Sequence, residues 1–253
     1  MERILKRIDA VTKELENTKL CLWLKDENNV KEGRFEFIPS MLFFVLGFKD
    51  ILNAMSIDKP KTKLDLGINT HCAEDLDRWK WYLRDLETLG FIPQSWRPDM
   101  RDLFTQICEE DSTVSRDLVY NIIHEVKKRN DPLISLVMIE LLEAAFGVFI
   151  RNMIVPIERE NMYERLQYFG KIRKEKEAAH SKGSWISEGR KNEEEIFTTH
   201  PLTEKQLKAA GEIISSIAPQ FFKLFDYWYS MRHKFSRFVP QDNLSNKHEV
   251  EPA

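Results

Sequence analysis

Apolar residues recur along this chain at intervals of three and four, and alternating runs suited to strands are hard to find. Ile4, Leu5, Ile8, Val11 and Leu15 fall on one stripe and predict a first helix from Glu2 to about Leu22. "NNVKEGRFEF" reads as a loop, after which Pro39 opens a second helix to about Met55. "SIDKPKTKLDLG" interrupts the pattern, because Pro60 disfavours helix in the residue before it. A third helix is expected from about Gly67 to Leu89, with Gly90 as its stop.

"FIPQSWRPD" is a connector. The fourth helical region divides into about Met100 to Glu109 and a second piece, capped at Ser112 or Thr113, that runs to Lys128. After "RNDP", the stretch "LISLVMIELLEAAFGVFIRNMI" is apolar nearly all round and reads as the central buried helix. A sixth helix is expected over about Asn161 to Ser181, followed by the long polar loop "KGSWISEGRKNEEEIFTTHP". The last helix starts at Leu202–Thr203, with Thr203 as N-cap, and reaches about Phe235 with a kink at Pro219. The sum is an all-α fold of about seven helices in one domain, 1–238, with a disordered polar tail, 239–253.

Composition narrows the function classes. Of 253 residues, 42% are hydrophobic, enough for a large core. A net charge of −3 argues against a nucleic-acid partner. Cys21, Cys72 and Cys108 are odd in number and contain no CxxC pair, which fits a reducing cytoplasm. The charged N-terminus rules out a secretory leader, and the apolar run Phe37 to Phe48 is too short to span a bilayer, so no membrane role is expected. There is no Gly-rich phosphate loop, HExxH motif or nucleophile elbow.

The candidate chemistry lies in polar residues that share helix faces. His71 and Arg78 are two helical turns apart, with Glu74 on the adjoining stripe. Arg173, Glu177 and His180 fall at i, i+4 and i+7. Glu140 and Glu143 interrupt the apolar central helix, where a carboxylate is costly unless it is paired or ligating. Three helices with inward polar clusters are how helical bundles build carboxylate-bridged di-iron sites.

The chain resembles the haem-oxygenase-like di-metal oxidases, whose fold is shared with thiaminase-II-like and coenzyme-PQQ-synthesis proteins. "HCAEDLDRWKWYLRDLETLG" looks like the family's His-x-x-Glu-Asp-x-x-His-Trp-x-Trp-Tyr-Leu-x-Asp-Leu-Glu-x-Leu-Gly. "FIPSMLFFVLGFKDILNAM", "MIELLEAAFGVF" and "YFGKIRKEKEAAH" resemble shorter family stretches. The resemblance implies a haem-oxygenase-like bundle and carries over Glu143 (or Glu140), Glu177 and His180 as ligand positions. Arg78 and Arg173 stand where the family has histidines, and His71 where it has a carboxylate.

Arginine keeps its proton and offers a metal no lone pair. It does form two-pronged bonds to carboxylates, so Arg78 and Arg173 are expected to pair with Glu143 or Glu177. The leading expectation is a divergent homologue with a degenerate metal centre and no cofactor, binding a small molecule in an apolar helical cavity or a protein partner. The alternative is an iron-dependent oxidoreductase holding iron or manganese on Glu143, Glu177 and His180 and acting on an acyl or amino-acid-derived substrate. Blander roles compete: structural histidines at 71 and 180, core packing for Trp79 and Trp81, and solvated or paired Asp85 and Glu87. "QFFKLFDYWYSMRHKF" is expected to be core or a homodimer interface, with an aromatic pocket as the sharper reading.

Overall fold

The computed structural model describes residues 2–26, 28, 34–92, 107–170 and 202–235. Among them the protein is all-α, with no strand. The elements are α1 (Glu2–Leu15), α2 (Lys19–Lys25), α3 (Leu42–Met55), α4 (Lys63–Asp75), α5 (Arg78–Thr88), α6 (Thr113–Arg129), α7 (Pro132–Arg159) and α8 (Glu204–Ser230). Short 3-10 turns, Ile38–Met41 and Glu110–Ser112, lead into α3 and α6.

The expected first helix is two. Beyond α1, the Asn17 amide donates to the Lys13 carbonyl and the Thr18 hydroxyl to the Leu15 carbonyl. These short polar side chains compete with the helical ladder, and the chain turns before α2. Arg34, almost fully buried, then donates to the Leu24 and Asp26 carbonyls and closes the end of α2. Pro39 falls inside the 3-10 turn rather than opening α3 itself.

The expected third helix also divides. It starts earlier than expected, at Lys63, where Thr62 and Asp65 form a reciprocal capping box. It breaks at Leu76–Asp77, and α5 begins at Arg78. Gly90 adopts φ 81° and ends α5 as expected, with its amide on the Glu87 carbonyl and the Phe91 amide on the Leu86 carbonyl.

The central helix is where the apolar pattern puts it. Asp131 caps α7, accepting from the Leu133 amide at 3.0 Å, and also accepts from Gln206 of α8 at 2.8 Å. α7 packs against α1, α2, α4, α6 and α8, which explains its apolar surface on every side. Phe149 sits at its middle, against Phe37, Phe169, Phe225 and Trp228. Most of "QFFKLFDYWYSMRHKF" accordingly belongs to α8 and supplies core residues Phe221, Leu224, Phe225 and Trp228.

The sixth helix does not form over its described part. Asn161, at φ 57°, terminates α7, and residues 162–170 run as successive turns. The remainder of that expected helix, the polar loop after it and the tail lie outside the described residues. α8 runs through Pro219 without interruption and ends at Ser230, short of Phe235.

Two helical stretches are long and apolar enough to cross a membrane by length and composition, Ile38–Met55 and Pro132–Arg159. Their apolar windows are 61% and 72% buried within the bundle, so the criterion also describes core helices.

Candidate functional site

The break between α4 and α5 builds the site. His71 and Asp75 stand one turn apart at the end of α4, and Arg78 opens α5. Glu143 reaches them from α7. His71 Nε2 lies 3.7 Å from Glu143 Oε1 and 4.0 Å from Asp75 Oδ2. One donor atom from each of His71, Asp75 and Glu143 lies within 4.8 Å of the others.

Arg78 does not pair with Glu143. Its Nη2 lies 2.6 Å from Asp75 Oδ1, and the two side chains are only 12% and 2% exposed. The arginine–carboxylate pair seen among the described residues is local, i to i+3 across the helix break, and the expected pairings with Glu177 or from Arg173 lie outside those residues. Glu143 has less need of a partner than an apolar-helix carboxylate suggests, because its side chain is 38% exposed.

The other expected residues divide cleanly. Glu74 is half-buried and stands outside the trio, as does Glu140 one turn before Glu143 on α7. Arg173, Glu177 and His180 lie outside the described residues, and with them two of the three ligands carried over by resemblance. Asp75 is the residue sequence reasoning missed. Its i+4 relation to His71 and i−3 relation to Arg78 were the available signals, on a helix assumed to run straight through.

A cleft joins this cluster to the surface. Lys49 of α3, Phe48, Trp79, Phe146 and Tyr168 line it together with Asp75, Arg78 and Glu143. Its free volume is about 20 Å³, room for about one water molecule or ion. A second space, among Phe146, Phe149, Phe221, Phe225 and Trp228, has no free volume.

The donors can be tested against a divalent metal. One imidazole and two carboxylates suit iron or manganese in type. The guanidinium does not. At an effective dielectric of 20, a unit charge about 4 Å from a dication is worth roughly 8 kcal/mol. Arg78 thus cancels about what one carboxylate supplies, and it also holds one of the two Asp75 oxygens. The described residues do not fit a di-metal centre.

One further carboxylate stands out. Asp85, expected to be solvated or in an ion pair, is fully buried on α5. Oδ1 accepts from the Gln167 amide at 2.6 Å, and Oδ2 from those of Tyr168 and Phe169 at 2.9 and 3.0 Å. Burial raises its carboxyl to about 7, against the pull of those three amides in the other direction.

No protein-family model matches the chain, and no curated protein is found to match it.

Proposed function

We propose that this protein is a divergent member of the haem-oxygenase-like bundles whose metal centre has been rebuilt around an arginine–carboxylate pair. It acts by binding a small molecule or a protein partner rather than by activating oxygen, in the cytoplasm. The observation that carries this reading is the buried Arg78–Asp75 pair at 2.6 Å, a fixed cation among the residues that would have to hold a metal. A guanidinium cannot be titrated away at physiological pH, so this positive charge is permanent.

The test is metal content. Protein purified without chelator, then reconstituted anaerobically with iron or manganese, is expected to carry well under one metal per chain. Changing Arg78 and Arg173 together to His removes two fixed charges and adds two nitrogen donors. That double variant is expected to gain metal, and either single change to gain less. Stoichiometric tight binding by the wild type would defeat the proposal.

A second reading draws on one specific observation, the approach of His71, Asp75 and Glu143 donors to within 4.8 Å. On that reading the protein is an iron-dependent oxidoreductase, with Glu143, Glu177 and His180 among its ligands. The same measurement separates the two.

A further inference from the structure

α1 packs along α8, and the pair leaves an open groove between them, about 17 Å long from Arg3 to Glu14 at the helical rise. Its two halves differ in character. One, of about 740 Å³, is lined by Arg3, Arg7, Lys208, Ser215 and Ser216. The other, of about 490 Å³, is lined by Ala10, Val11, Ile214, Ala218, Pro219 and Phe222. Arg7 and Ser215 belong to both halves, so the groove is continuous. It is separate from the His71–Asp75–Glu143 cleft, which is walled by α3, α4, α5 and α7.

The cationic half has a fixed geometry. Arg7 reaches across from α1 and donates from Nη2 to the Ser215 hydroxyl at 2.8 Å. It has room there because residue 211 is glycine, where a Cβ would stand 2.7 Å from Nη1. Arg3, Arg7 and Lys208 form no ion pair among the described residues. Two nearby carboxylates are already taken: Glu2 pairs with Lys6 at 2.5 Å, and Glu212 with Arg129 of α6 at 3.1 Å. Glu204 is the other carboxylate lining this half, and Glu14 lies at the far, apolar end. The balance at the cationic end is positive, and it favours an anion.

We propose that this groove binds a single-chain amphiphilic anion. Arg3, Arg7 and Lys208 hold its phosphate or carboxylate head, and its alkyl chain lies over Val11, Ala218, Pro219 and Phe222. Cationic and apolar stretches follow one another along one line, and a ligand with one charged end uses both. The guanidiniums offer such a head two-pronged charged hydrogen bonds. A partner helix, about 10 Å across, would need an unbroken apolar floor, and Arg7 crosses the floor midway. A bilayer would need apolar side chains that protrude into it, whereas Ile214 and Ala218 are 3% and 5% exposed.

Amide chemical shifts of the full chain, titrated with decyl phosphate below its micelle concentration, test this. Saturable shifts are expected over residues 3–14 and 204–222. Arg7→Gln and Lys208→Gln should each weaken binding roughly three- to tenfold. Gly211→Ala should weaken it too, because the new methyl displaces the guanidinium while every charge is kept and helix propensity rises. Decyl maltoside, with the same chain and no charge, and inorganic phosphate, with the charge and no chain, should both bind more weakly. Equal binding of decyl maltoside overturns the proposal, as does equal binding of inorganic phosphate, which would mean an adventitious ion only. Unchanged affinity in all three variants, or shifts confined to other helices, overturns it as well. Binding to phosphatidylglycerol vesicles without binding to the monomeric amphiphile would make the surface a membrane contact. A dimer that Arg7→Gln dissociates would make a second copy the occupant. Either result replaces the proposal.

Discussion

At the scale of the residue, two carboxylates in one region behave in opposite ways because their partners differ. Asp75 is buried and paired with a guanidinium at 2.6 Å, so removing that partner takes a charged hydrogen bond from a buried carboxylate. Arg78→Ala is expected to cost about 3–5 kcal/mol in denaturant unfolding. Glu143 is 38% exposed and makes no contact closer than 3.7 Å to His71, so Glu143→Ala should cost under about 1 kcal/mol. Equal losses for the two variants would contradict this assignment of the pair. Asp85 adds a pH term. Its folded pKa lies above its unfolded one, so its contribution to stability is full below about 4 and is lost as pH rises through about 7. Asp85→Asn should flatten that part of the stability profile. None of this was legible in residue type. Asp85 sits in a run of charged and apolar residues typical of a solvated helix face, and only the arrival of the 167–169 amides makes it a buried anchor.

At the scale of the element, the boundaries follow local chemistry wherever a cap or a stop is present. Thr62 with Asp65 and Thr203 with Gln206 form capping boxes, and Gly90 supplies the left-handed residue that ends α5. The helix breaks at residues 16–18 and 76–77 lack such strong markers, and the periodic apolar pattern runs across both. Packing then imposes its own conditions. A Cβ on Gly47 of α3 would lie 3.0 Å from both methyl groups of Val119 on α6, which is almost fully buried. Gly47→Ala is therefore expected to destabilise by about 1–3 kcal/mol through overpacking. The double change with Val119→Ala should cost less than the sum of the two single changes, by on the order of 1 kcal/mol in a double-mutant cycle. Simple additivity would show that the two helices do not meet closely there.

At the scale of the whole molecule, α7 and the rings around Phe149 hold the bundle together. Phe149 contacts the turn before α3, the segment after α7, and α8. Phe149→Ala should cost about 3–5 kcal/mol and lower the thermal midpoint seen from tryptophan fluorescence and from helical circular dichroism together. Loss of one signal before the other would mean that the parts around Phe149 do not melt as a unit. The sequence by itself determined the all-α class, the central helix, the Thr203 cap and the Gly90 stop, because helical periodicity and capping act over a few neighbouring residues. It also marked His71, Arg78 and Glu143 as polar residues turned toward one region. Only the tertiary structure decided that α4 breaks before Arg78, that Asp75 takes the guanidinium, that residues 162–170 abandon the helix, and that Asp85 holds them. The last of these outcomes depends on contacts between segments as much as 84 residues apart. A buried carboxylate chooses among donors brought to it in space, and no local pattern records which donors will arrive.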